Sequence, residues 1–514
     1  MLKVAGVGVV GAIAVGAEGE SAARHGDVAM WEVFEVSLQG AMVGTGNPFD
    51  VPVGAEFRQG ARVVTVYGFY DGAQVYKLRF MPDAIGEWTY TTVSTDARMH
   101  GRVGSFRCVA AKAGAHGPVR VANGHHFAHA DGTKYCPFGT TCYAWVHQSE
   151  QVQRETLEAL KGGAFNKIRM CVFPKSYEYN HNEPPFYPFE RDAAGVHDFS
   201  RPVPAFYKHL EDRIKDLAAI GVQADLILFH PYDRWGYSSM APEVDERYLR
   251  YVVARLSSFA NVWWSMANEF DLMKAKKVED FDRYFHIVER QDAVGHLRSI
   301  HYSKVMYDNT RPSVTHASMQ TAAFEKAEGW LKEWKKPICF DEVMYEGNMN
   351  RRWGNLSGEE MTRRFWLGVI AGCYVTHGET YIDAASEMDE NLTPVIPWSH
   401  GGPLHGTSPA RIKFLREVVE TTAKGGVGGL EAAENGYYLN AMVKDAAGKV
   451  VGILYYFDFH QPVWYEFPLP AGRFKAEVID PWAMTLTAVD GEFAGKTKMR
   501  LPGKAYGAVR FLSA

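Results

Sequence analysis

NVWWSMANEFD, residues 261–271, sets the fold: Val262, Trp263, Trp264 and Met266 form a run too apolar for a half-exposed strand, and Asn268 and Glu269 follow at its end. KPICFDEVMYEGN, residues 336–348, repeats the form, with an apolar run ending in Asp341 and Glu342. From Tyr135 to Arg416 such runs alternate with amphipathic stretches, the signature of β-α units and a parallel sheet. Phe206, Leu210, Ile214 and Leu217 recur at helical spacing, and Gly221 supplies the stop. The runs place strands at residues 136–139, 167–172, 224–229, 262–266, 298–300, 313–315, 337–340 and 374–377. Eight strands imply a (β/α)8 TIM barrel rather than a doubly wound sheet.

The flanks read differently. Phe34, Val36 and Leu38 alternate with Glu35 and Ser37, and Tyr76, Leu78 and Phe80 alternate with Lys77 and Arg79. That period of two, with a turn at Asp71-Gly72, indicates an immunoglobulin-like β-sandwich. Beyond Lys424 alternation returns, with a turn at residues 445–448 before VVGILYYF, which reads as a second β-sandwich. The chain is therefore expected to be multidomain: sandwich 28–112, barrel 116–420 and C-terminal sandwich 425–514. Residues 1–27 precede them. Lys3, an apolar Gly/Ala/Val run and small residues up to Ala17 resemble a short signal peptide, the other reading being a disordered extension. The protein would be periplasmic or secreted in the first case and cytoplasmic in the second.

A chain of 514 residues exceeds one hydrophobic core, and a net charge of -5 does not suit binding to phosphate backbones or anionic membranes. A carbohydrate partner is expected, with no nucleic acid and no membrane; the oligomeric state stays open. The six cysteines form no C-x-x-C pair, so buried free thiols are the reading. Fingerprints of nucleotide cofactors, H-E-x-x-H zinc sites and G-x-S-x-G elbows are absent, so neither cofactor nor metal is expected.

Barrel enzymes carry their chemistry where strands end, so Glu269 after strand four and Glu342 after strand seven face one mouth. Glycosidic cleavage needs such a pair, one carboxyl protonated to assist the leaving oxygen and one ionised to attack or to activate water. At about 5–5.5 Å apart, the second attacks C1 and configuration is retained.

Asn-Glu after strand four with Glu after strand seven resembles the signature of clan A glycoside hydrolases. The resemblance implies that Glu269 is the acid/base, that Glu342 is the nucleophile and that Asn268 bonds the sugar 2-hydroxyl. By the same resemblance Arg169 would keep the nucleophile ionised, His230 would contact substrate after strand three, and His316 would stand near the nucleophile after strand six. The domain order, with GHLRSIH, DEVMYEGN and WSHGGPLHGTSP, is similar to bacterial glycosidases with an N-terminal immunoglobulin-like domain, an apiosidase-like barrel and a C-terminal β domain. Some relatives of that barrel cleave unusual pectic sugars. Trp145, Trp235 and Trp398 are candidate stacking platforms, and Asp233, Tyr345 and His400 candidate sugar contacts. The function expected is a retaining glycosidase acting on plant or microbial oligo- and polysaccharides; the alternative is a noncatalytic carbohydrate-binding or adhesion protein on the same scaffold.

Overall fold

The computed structural model describes residues 23–41, 46–382, 396–433 and 439–514. The leader-like segment at residues 1–17 lies outside the described residues.

Eight parallel strands form the barrel: Phe138–Thr141, Lys167–Cys171, Gln223–Ile227, Val262–Ser265, Arg298–Ser299, Ala317–Gln320, Ile338–Glu342 and Tyr374–His377. They are called strands one to eight below. Strand one pairs with both strand two and strand eight, as barrel closure requires. The ladder stays open between strands five and six, where the Thr315 amide bonds the Arg298 carbonyl at 2.8 Å. Six of the seven links between consecutive strands carry an α-helix, and the link from strand five to strand six carries none among the described residues. Phe206, Leu210, Ile214 and Leu217 form the buried face of Pro204–Ala219, and Gly221 takes φ +74° just past its end.

Two corrections to the sequence reading follow from this ring. Strand six begins at Ala317, not at Ser313, so His316 precedes the strand instead of ending it. A three-stranded sheet, Val119–Ala122, His126–His129 and Lys134–Tyr135, precedes the barrel and was not foreseen. It closes the bottom: Phe127 packs on Trp263 and Tyr374. A cap of this kind keeps water out of the strand starts and leaves the opposite end as the mouth.

The N-terminal unit packs a six-stranded sheet on a three-stranded one around Phe34, Phe57, Trp88 and Phe106. Arg79 ties it to the barrel, donating to Glu211 at 2.7 Å and to the Arg255 carbonyl at 2.8 Å, all buried. The C-terminal unit, six strands plus two, buries Tyr455, Phe467 and Phe511. Trp366 stacks on Tyr456 at 5.2 Å and Arg363 bonds Asp458 at 2.6 Å, fixing that unit to the barrel helix Gly358–Ile370. Two further cores thus flank the barrel's own, one in each β-rich unit. No helix among the described residues is long and apolar enough to cross a membrane.

Candidate active site

A fully buried charge network supports the mouth from inside the barrel. Side chains of successive strand residues point to opposite faces, so Asp341 and Glu342 diverge. Asp341 turns into the barrel, where its Oδ1 accepts from Lys167 at 2.8 Å and Thr376 at 2.7 Å, and its Oδ2 accepts from Ser318 at 2.6 Å. Although burial opposes ionisation, the charges of Lys167 and Arg169 hold Asp341 well below the usual carboxylate range. Lys167 also reaches Asp225 at 3.1 Å, so the barrel interior is a paired ionic lattice. Glu342 is left to face the cavity.

That cavity, about 720 Å³, opens at the strand ends and is lined by both Glu269 and Glu342. Glu269 follows strand four in a left-handed turn, φ 48° and ψ 53°, which a residue with a Cβ adopts at a cost of about 1–3 kcal/mol. Its amide donates to His301 Nδ1 at 3.4 Å. Tyr232 donates its hydroxyl to Glu269 Oε2, and Gln320 Nε2 donates to Oε1 at 3.3 Å. Asn268 Nδ2 donates to Oε2 at 3.4 Å and its Oδ1 accepts from Arg169 at 3.4 Å. Across the cavity Tyr143 donates to Glu342 Oε1, and its oxygen stands 3.1 Å from the Tyr345 hydroxyl. His301 Nε2 is 4.0 Å from the same Glu342 oxygen. Burial lowers the pKa of His301 well below its ordinary range, with the charge of Arg169 adding to it, so the ring is neutral.

The Glu342 carboxyl is pushed up to about 7, first by burial and then by the charge of Glu269; the Tyr143 hydrogen bond and the charges of Arg169 and Lys175 oppose the rise. Two carboxylates whose charges reach each other share protons as a pair. A glycosidase pair needs one carboxyl protonated and one charged, and the charge of Glu269 acting on Glu342 is the coupling from which such a division arises.

Of the residues singled out in the sequence, Asn268, Glu269, Glu342 and Tyr345 line the cavity. The rest stand elsewhere. Arg169 is fully buried beneath the mouth, 3.6 Å from Asp341 and 3.7 Å from Asp225, and orients Asn268 without reaching the cavity. His230 is bound to the Phe173 carbonyl at 3.1 Å, and His316 lies at the barrel bottom against Phe127 and Trp263. Trp145 donates to Met170 Sδ at 3.1 Å and Trp398 to Thr140 at 2.8 Å, so both rings fill the core. Trp235 reaches Glu183 at 3.1 Å on the outer loop, which Asp233 shapes by accepting the Trp235 and Ser238 amides at 2.7 Å. His400 is buried outside the cavity lining. The aromatic wall is instead Tyr177, Tyr179, Tyr232, Tyr345 and Trp353, offering ring faces to a sugar.

Tyr143, Lys175, Tyr232, His301 and Gln320 were missed, yet the first four each follow a barrel strand and Gln320 ends one. Collecting every polar residue after every strand would have found Tyr143, Lys175, Tyr232 and His301. Gln320 was hidden because placing strand six too early moved its end to His316.

Among the described residues Glu346, His377 and Glu379 could together offer ligands to a metal. The carboxylates are already engaged: Glu346 accepts the Thr407 amide at 2.7 Å and the Ser408 hydroxyl at 2.5 Å, while Glu379 accepts the His405 and Gly406 amides at 2.7 and 2.8 Å. Donors converging on both acids fit a latch for the loop at 405–408 better than a cation cradle.

Comparison with known proteins identifies the domains. The model of the apiosidase-like catalytic domain matches residues 121–423, and two domains of unknown function match residues 27–95 and 443–512. A solved structure described as a candidate glycoside hydrolase from Bacteroides vulgatus is 40% identical, covering 95% of this chain and 100% of that one, with a TM-score of 0.87. A family 5 glycoside hydrolase from the same species, 13% identical over 77% of this chain and 94% of that one at a TM-score of 0.58, shares the fold. No curated protein matches. The chain is an enzyme, a multidomain glycosidase, and belongs to the apiosidase-like family of clan A (β/α)8 glycoside hydrolases.

Proposed function

We propose that this glycosidase retains anomeric configuration, cleaving O-glycosidic bonds in plant or microbial oligo- and polysaccharides by double displacement. The observation that carries the reading is the pairing of Glu269 and Glu342 on one cavity, close enough for the charge of one to raise the pKa of the other. Glu342 attacks C1 while Glu269 gives its proton to the departing oxygen, forming a glycosyl ester on Glu342 and a free alcohol. Glu269 then takes a proton from water as the water oxygen bonds to C1, which releases the sugar and restores the Glu342 carboxylate. Tyr143 and Tyr232 position the two carboxylates, and His301, neutral and between them, braces both.

Neither glutamate is replaceable in this scheme. Rates on a panel of aryl glycosides and oligosaccharides, measured for the parent, Glu269→Gln and Glu342→Gln, test it. Each variant should lose orders of magnitude in kcat/KM. Variants that both stay within a few fold of the parent would remove the assignment.

A further inference from the structure

Lys175 stands in this cavity and makes no direct contact in the displacement above; its charge only helps to oppose the rise at Glu342. It follows strand two in VFPKS, is 6% exposed and lines the cavity wall. Its ammonium lies over three rings, 4.2 Å from the centroid of Tyr143, 4.6 Å from Tyr177 and 4.3 Å from Tyr232. Ring faces stabilise a cation but accept none of its three N–H bonds in the way an oxygen does. Among the described residues Lys175 Nζ has neither a hydrogen-bond acceptor nor an ion-pair partner. The nearby acids are occupied: Glu178 meets Arg351 at 3.3 Å, Glu379 takes two backbone amides, and Glu342 Oε1 takes Tyr143. No other basic residue lines the cavity among the described residues.

The ammonium faces the cavity, and a ligand that displaces water from it has to supply an oxygen in exchange, because a desolvated ammonium without one is costly. A neutral hydroxyl would satisfy a single N–H and leave the charge uncompensated. An anionic oxygen does both, and gives the shorter, stronger charge-assisted bond. In a cavity that already holds two catalytic acids, an anionic sugar would be repelled unless a cation opposed them.

We infer that the cavity takes a sugar bearing an acidic group, a uronate carboxylate or a sulfate ester, and that Lys175 holds that group. The inference rests on the glycosidase reading of the same site and adds the substrate class to it. Calorimetry on the full chain tests it with glucuronate, galacturonate and mannuronate, their neutral parent sugars, and galactose 6-sulfate. These are products or analogues, so catalysis does not interfere. At least one acidic sugar should bind about tenfold or more tighter than its parent, the margin expected of a hydrogen bond to a charged group. Comparing the uronates with the sulfate separates the two acids. Lys175→Met should lose that margin while binding neutral sugars within a few fold, and Lys175→Arg should keep most of it; melting curves verify that both fold. Equal binding of acids and parents, a margin that survives in Lys175→Met, or no binding of any acidic sugar overturns the inference. Neutral glycosides hydrolysed in a Glu269-dependent way, without preference for acids, would remove this inference alone. A Lys175-dependent preference for acids without hydrolysis would remove the proposed chemistry alone.

Discussion

Replacing Tyr143 with Phe removes a single oxygen from the site and leaves its shape. The ring stays under the Lys175 ammonium, while the bond from the tyrosine hydroxyl to Glu342 Oε1 is lost. A hydrogen bond to a charged group contributes about 1.5–3 kcal/mol, and this one favours only the ionised form of Glu342. Since one pKa unit corresponds to about 1.4 kcal/mol, the Glu342 pKa should rise by about 1–2 units from its value near 7. The sign is fixed: the bond lowers the pKa, its loss raises it, and the variant holds the Glu342 proton to higher pH. On the acid side, where the nucleophile must first deprotonate, kcat/KM should fall about 10–100-fold, and the acid limb should move up by about 1–2 pH units. The assay is the pH profile of kcat/KM for parent and variant on one cleaved glycoside, with circular dichroism verifying the fold. An equal loss at every pH with an unmoved limb, or no loss, would refute the argument that Tyr143 acts by holding Glu342 ionised.

Other outcomes can be stated more briefly. In the parent, kcat/KM should climb with pH up to about 7, as Glu342 gives up its proton and becomes able to attack; a rate that already falls between pH 5 and 7 would contradict this. Tyr232→Phe, which leaves Glu269 Oε2 with only the long Asn268 bond, should slow sugars with poor leaving groups about tenfold more than dinitrophenyl glycosides, as a Brønsted plot would show. Asp341→Asn should cost about 3 kcal/mol or more in urea unfolding at pH 7, since Lys167 keeps only Asp225. Because the folded Asp341 pKa is depressed, that penalty is fully present above the unfolded value near 4 and should shrink as pH falls below it. Dialysis against a chelator should leave the rate unchanged, given the hydrogen bonds that already fill Glu346 and Glu379; a loss restored by zinc would place a metal there.

Periodicity made the barrel legible because buried parallel strands are continuous apolar runs, and strands two, three, four and seven stand out as such. It failed where that physics is weakest. Strand five is two residues long, and the link beyond it has no helix to mark a boundary, so strand six slid by four residues and His316 was read into the mouth. The two glutamates were legible because the chemistry proposed for them demands a carboxylate after a strand. The tryptophans were not, since a ring in a core and a ring on a wall look alike in one dimension: Trp145 and Trp398 serve the first purpose and Trp353 the second. Lys175 was invisible for a related reason. Its meaning lies in three tyrosines from three separate loops, a juxtaposition that exists only after folding.

The configuration of the first product is the most direct measure of the chemistry proposed for Glu269 and Glu342. Proton NMR of the anomeric region, recorded in the first minutes of hydrolysis of any cleaved glycoside, reads it before mutarotation blurs the signal. Direct attack by Glu342 predicts that the sugar emerges with the anomeric configuration of the substrate. An inverted first product would mean that water, not Glu342, reaches the anomeric carbon, and the double displacement would be wrong.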